Sequence, residues 1–242
     1  MVETLSKSGH DFHAPMVQPY NRVPTRAEQW MEHLSSIRST SSSPLHLIGF
    51  SSGGLDARYL ITRLGGHEFI ASLTTVSTPH RGSSLADHIL ERPASVRDSV
   101  VGFADWMGDR LPGSNASDSR RAMEELTTSY MIDVFNPSTP DHPDVRYHSW
   151  AGRAGKGTNV PILPLLRIAN RIVFDRQGIN DGIVSVSSAT WSGFHGTIDA
   201  DHARQIGLKA FNGSFDASEF VDSLVGNLEP VQEEESPPSS PL

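Results

Sequence analysis

The chain of 242 residues contains no cysteine, which excludes disulfides, thiolate metal sites and a cysteine nucleophile while leaving the redox compartment open. Positive charge is in short supply. The 20 Lys and Arg stand against 28 Asp and Glu, a formal net charge of -8 that would repel a phosphate backbone, so no nucleic-acid partner is expected. Long apolar runs are lacking too: Val160 to Phe174, the most apolar stretch, is broken by Pro161, Pro164, Arg167 and Arg171 and falls short of the ~20 apolar residues a bilayer span requires. Met1 to Ala14 is polar and lacks the basic start and apolar core of a secretory signal, so a soluble protein, cytoplasmic or otherwise intracellular, is expected. The 11 histidines are scattered, with no His-x-x-x-His or His-Glu-x-x-His spacing, and neither a metal nor another cofactor is expected. Internal repeats are absent.

What the chain does have is length for one large α/β domain and a pentapeptide in a telling context. Residues 49 to 53 read Gly-Phe-Ser-Ser-Gly, after the apolar run Pro44 to Ile48 and before the helix-compatible Gly54-Leu-Asp-Ala-Arg-Tyr-Leu-Ile. A G-x-S-x-G between strand and helix predicts a nucleophile elbow, with Ser51 in a strained backbone conformation and the two flanking glycines needed for room. The helix N-terminus would put the amide of Ser52 where an oxyanion binds.

Other elements follow from patterning. Thr25-Arg-Ala-Glu28 reads as a capping box opening a helix through Trp30, Met31 and Leu34 to Ile37. Leu45 to Phe50, Ile70 to Ser77 and Val145 to Ala151 read as strands, and Asp201 to Phe211 as a helix after a glycine-rich segment, Ser192 to Gly196. Strands alternating with helices predict an α/β fold, a mostly parallel sheet with helices on both faces. Between about 86 and 136 the pattern turns helical, and periodicity fits either a lid over a pocket or ordinary core helices. Residues 1–228 are read as the domain and 229–242, acidic and then Ser/Pro-rich, as a disordered tail.

A serine nucleophile needs a histidine base and a carboxylate to orient it. His202, the last histidine, follows the loop Gly196 to Asp201, with His195 as the alternative. Asp181 sits in Asn180-Asp-Gly182, which taken alone reads more readily as a plain turn, and Asp175, Asp199 and Asp201 compete for the role.

Five blocks in order, Leu47 to Tyr59, Thr74-Thr-Val-Ser-Thr-Pro-His-Arg-Gly-Ser83, Tyr147 to Gly152, Asn180 to Val184 and Asp201-His202, resemble the bacterial triacylglycerol lipase family and its fungal relatives. The resemblance implies an α/β-hydrolase fold, a Ser51-Asp181-His202 triad, Ser52 as one oxyanion amide, and lipid-ester hydrolysis through an acyl-enzyme. It also favours a lid, whose Phe103, Trp106 and Met107 would offer apolar surface to an acyl chain and a transient contact to a lipid surface. Three departures stand out. Phe50 replaces the usual histidine before the nucleophile, a change expected to affect packing more than chemistry. Arg204 stands where bacterial members carry a calcium-binding aspartate, so no calcium is expected. The apolar strand ending in His-Gly, which supplies the second oxyanion amide, is not found before residue 25, and His10 to Val17 would be the strand that follows it. An N-terminally truncated or catalytically weak hydrolase-fold protein with a binding role is therefore the alternative expectation.

Overall fold

The computed structural model describes residues 11–14, 17, 21–92, 116–208 and 215–228. Four strands, β1 (Leu45–Phe50), β2 (Ile70–Val76), β3 (Arg146–Gly152) and β4 (Phe194–Ile198), form one all-parallel sheet in the order β1-β2-β3-β4. Phe50 pairs with Val76 and Val76 with Trp150, so the strand ends are level and the loops leaving them share one edge. Functional groups in parallel sheets collect at that carboxyl edge.

Side chains alternate between two layers. On one face Leu47 and Leu73 pack with Ala27 and Leu34 of helix α1 (Val23–Arg38) and Ala57 and Leu60 of α2 (Gly53–Arg63). On the other face Val76 and Ile198, with the partly buried Ile48, Phe50 and Trp150, pack against Leu224 and Phe220 of the C-terminal helix Ala217–Gly226. Helices α3 (Ser84–Leu90), α4 (Ala116–Glu124) and α5 (Arg167–Gln177) come between, and Leu85, Ile89, Leu166, Ala169 and Val173 form a third apolar cluster with Ile183 and Val184. The short α6 (Val186–Ala189) and the C-terminal helix, α7, complete the order.

Several boundaries differ from the sequence reading. Helix α1 starts at Val23 with Pro24 in its first turn, so Thr25 is inside the helix and caps nothing. The exposed first amide is taken from far away: Val23 N donates to Glu125 Oε2 at 2.7 Å while Arg22 Nε donates to Oε1 of the same carboxylate at 2.7 Å. A cap of that kind is worth about 1 kcal/mol and leaves no local signature. Within 201–208 the expected helix is a single 3₁₀ turn, Arg204–Ile206, closed by Gly207 in the left-handed region at φ 88°, and 209–211 lie outside the described residues. Part of the glycine-rich segment Ser192 to Gly196 enters β4, a half-exposed strand whose residues Phe194-His-Gly-Thr-Ile carry no strong apolar alternation.

Within the 86–136 segment, the helical run Thr128–Tyr130, Met131–Phe135 and Asn136–Ser138, with a π-turn at its centre, buries Met131 and Phe135 against Val23 and Leu55. That part is core. Phe103, Trp106 and Met107 lie outside the described residues, as does 229–242. Asp11 to Ala14 carry no strand, and among the described residues no strand pairs with the outer edge of β1.

Candidate active site

Ser51 follows β1 directly and has φ 52°, a left-handed conformation that is uncommon and costly for a residue with a Cβ. Two bonds hold it there: Ser51 N donates to Val76 O at 2.9 Å, and Thr78 Oγ1 donates to Ser51 O at 2.7 Å. The glycine requirement is only half as expected. A Cβ on Gly49 would lie 2.6 Å from Gly54 Cα, whereas one on Gly53 would meet nothing within 4 Å. The second indispensable glycine is Gly54, whose Cβ would lie 2.1 Å from Thr78 Oγ1. The turn is tight between strand and helix axis, not beside the serine.

The candidate acid and base come from loops further along the chain, Asp181 about 130 residues and His202 151 residues beyond Ser51, in the chain order of an α/β-hydrolase triad. His202 Nδ1 donates to Asp181 Oδ2 at 2.7 Å, and Ser51 Oγ lies 3.0 Å from His202 Nε2, placed to donate to it. Asp181 is buried, and its Oδ1 accepts the amides of Ile183 and Val184 at 3.0 and 2.9 Å while Gln205 Nε2 donates to Oδ2 at 3.0 Å. Burial alone would raise this carboxyl. The His202 charge and hydrogen bond, with the two amides, outweigh it and hold the group below the ordinary carboxylate range, so it stays ionised. The loop is both turn and acid carrier: Asn180 Oδ1 accepts Gly182 N at 2.8 Å and Asn170 Nδ2 at 2.7 Å, which fixes the turn to α5. His202 is tied to it again through its own amide, which donates to Asp181 O at 2.9 Å.

The competing residues lie elsewhere. Asp175 pairs with Lys156, and Asp199 with Arg153 at 2.6 Å, both on the surface. Asp201 is buried, accepting Leu163 N and Arg204 N at 3.0 Å each. His195, on β4, hydrogen-bonds His148 at 2.8 Å and stacks on Trp150. Arg204 donates from Nη1 to Pro161 O at 3.0 Å, its Nε 3.5 Å from Asp201. Its guanidinium thus puts a cation of the chain's own between the histidine loop and the 161–163 segment. Among the described residues no group of three or more His, Asp or Glu could hold a metal ion.

Ser52 is the N-cap of α2, and among the described residues its amide has no acceptor, which leaves it available to a developing negative charge. Three contacts around these residues have no counterpart in the sequence reading. Gln205 reaches Asp181 from the 3₁₀ turn, Thr78 clamps the elbow, and the ring of Phe50 packs on the His202 imidazole with centroids 4.7 Å apart. Phe50 therefore packs on the candidate base itself. Only Thr78 had a signal, its place in the Thr74 to Ser83 block. In the same block His80 is fully buried between Arg58 and Thr75, and burial, reinforced by the charges of Arg58 and Arg81, keeps it neutral. Arg58, itself buried and lowered to about 10, stacks 4.1 Å from Trp191.

A parallel sheet, a serine on a left-handed turn between strand and helix, and a histidine and aspartate delivered to it from later loops define an α/β-hydrolase. The comparisons with known proteins agree. Triacylglycerol lipase 2 of Saccharomyces cerevisiae is 36% identical over 175 residues, 68% of this chain and 46% of the yeast protein. A triacylglycerol lipase of Vibrio cholerae is 28% identical over 87% of this chain and 72% of its own length. The crystal structure of mature Bacillus licheniformis lipase BlEst2 superposes with a TM-score of 0.63 at 24% identity, covering 84% of this chain and 76% of that one. No protein-family model matches the chain. These likenesses support a lipase family of the α/β-hydrolase superfamily, and the chain spans less than half the length of the yeast relative.

Proposed function

We propose that this protein is a serine carboxylic-ester hydrolase acting on acylglycerols or related lipid esters. The observation that carries the reading is the unbroken relay from Ser51 Oγ through His202 to a buried, ionised Asp181. Ser51 Oγ attacks the ester carbonyl as His202 Nε2 takes its proton. Asp181 stabilises the imidazolium, and the amide of Ser52 stabilises the oxyanion. His202 then gives that proton to the departing alcohol, leaving an acyl group on Ser51. Water, deprotonated by the same histidine, attacks the acyl-enzyme and releases the acid. The lipid-ester substrate is suggested by the relatives' names, and no cofactor enters the scheme. Ser51→Ala is expected to reduce hydrolysis of a short-chain nitrophenyl ester by roughly a thousandfold or more. Unchanged hydrolysis in that variant would sink the reading.

A second reading, a hydrolase-fold protein with weak turnover and a binding role, draws on one observation. The described residues supply one amide for the oxyanion and leave the β1 edge unpaired. One missing donor costs roughly a hundredfold in rate or more, so slow hydrolysis that still depends on Ser51 would favour it.

A further inference from the structure

The most apolar stretch of the sequence, Val160 to Phe174, is only partly buried. Leu165, in the 3₁₀ turn Pro164–Leu166, is 56% exposed, and Ile168, in the first turn of α5, is 76% exposed. Lone exposed apolar residues need no explanation, but these two come with a charge pattern that is unusual for this chain. Residues 153–174 contain four cations (Arg153, Lys156, Arg167 and Arg171) and no carboxylate, in a chain of net charge -8.

Three of those cations converge. Lys156, Arg167 and Arg171, with Ile162 and Asn170, line an open cleft of about 380 Å³, and the exposed Ile168 follows Arg167 in the chain. Lys156 is paired with Asp175, which also lies within electrostatic reach of Arg171. The side chains of Arg167 and Arg171 make no hydrogen bond among the described residues. Residues 167 and 171, one helical turn apart, share a face, and Ile168 stands beside them, so apolar tips and guanidinium groups point to the same side.

The patch is fixed to the catalytic apparatus. The segment before α5 leaves the carboxyl end of β3 and is pinned to the histidine loop by Leu163 N on Asp201 and by Arg204 on Pro161 O. It therefore lies on the same edge of the sheet as Ser51.

We propose that this face, Leu165 and Ile168 with Arg167 and Arg171, docks the protein on an anionic phospholipid surface and brings the mouth of the Ser51 site to the lipid. Leucine and isoleucine tips enter the acyl boundary, and the arginines, apolar along their stems, meet headgroup phosphates at the level of the cleft. This role rests on the lipid-ester reading for its purpose, but docking is measured without turnover. The contact is made by a different element from the lid expected to touch lipid, which lies outside the described residues.

The test is flotation of the full chain with phosphatidylcholine vesicles, with and without phosphatidylglycerol. Binding is expected only with the anionic lipid and is expected to weaken as salt rises. Arg167→Gln with Arg171→Gln, and separately Leu165→Asn with Ile168→Asn, should each lower binding roughly tenfold or more, since each basic residue near such a surface is worth about a fivefold factor. Nitrophenyl-ester hydrolysis and the melting temperature should stay as in the wild type, and Ile132→Asn, an exposed apolar residue elsewhere, should change nothing. Equal binding to neutral vesicles, or undiminished binding in both double variants, would overturn the proposal. So would a dimer that the Leu165/Ile168 variant dissociates without lipid, which would make the face a contact between copies. Absence of ester hydrolysis with intact flotation would count against the enzyme and not against the docking face.

Discussion

The two open margins of the sheet differ in how completely they are built. At the carboxyl edge the polar atoms of the candidate triad have partners: the Asp181 carboxylate alone receives four hydrogen bonds, and the strained Ser51 is clamped at both its amide and its carbonyl. Along the outer side of β1 there is instead an apolar cleft of about 400 Å³ between α1 and α7, partly closed by Phe12 and lined by Leu34, Leu47, Ile48, Val221 and Val225. The first margin specifies one arrangement of atoms through directional bonds that are expensive to leave unmade. The second offers only burial, which is non-directional. A connected Ser51-His202-Asp181 relay beside a lateral edge that is unpaired among the described residues means that chemistry and completeness of the sheet are separable questions, which is why two functional readings stand.

The largest effect expected at the first margin is that of Asp181→Asn. Without the charge, His202 loses both its tautomer control and the stabilisation of its protonated form, and kcat should fall on the order of ten-thousandfold with KM little changed. A loss under tenfold, measured by steady-state ester hydrolysis, would show that the buried network is structural and that the base is oriented some other way.

The elbow offers a smaller and more discriminating comparison. Gly49→Ala drives a Cβ into the backbone of α2 and should destabilise by about 1–3 kcal/mol, whereas Gly53→Ala finds open space and should be neutral or stabilise by up to about 1 kcal/mol. Denaturant melts of the pair would decide. Equal penalties would mean that the motif's second glycine is needed for a reason other than room.

The smallest effect concerns the second margin. Leu45 N and Ser51 N donate to β2, so alternation points the amides of Leu47 and Gly49 toward β2 and those of His46, Ile48 and Phe50 toward the open side. Hydrogen exchange should be at least roughly tenfold faster for the second set. Uniform protection along β1 would mean that its outer edge is covered.

Which features could be read from sequence follows from how local their causes are. β1 and β2 are bounded apolar or β-branched runs and β3 carries the strand-favouring Tyr147 and Trp150, and each is recognisable within a residue or two. The elbow and the Asn180-Asp181-Gly182 turn are set by neighbours along the chain, and the ordered blocks supplied the pairing of Asp181 with His202. Helix α1 was misplaced at its start because its cap, Glu125, is a hundred residues away in sequence. β4 was missed because a half-exposed edge strand holding Gly196 has no alternation to detect. The 201–211 helix was overread because Gly207 ends it after one turn. Gln205 and the Phe50 ring contact are properties of tertiary packing, with no pattern in the sequence to announce them.

The most direct measurement of the central claim is covalent labelling with a fluorophosphonate, followed by peptide mapping, on the wild type, Ser51→Ala and His202→Ala. A working relay predicts a single adduct on Ser51, none in Ser51→Ala, and labelling slowed by roughly a hundredfold or more in His202→Ala. An adduct on another residue, or labelling indifferent to His202, would contradict it.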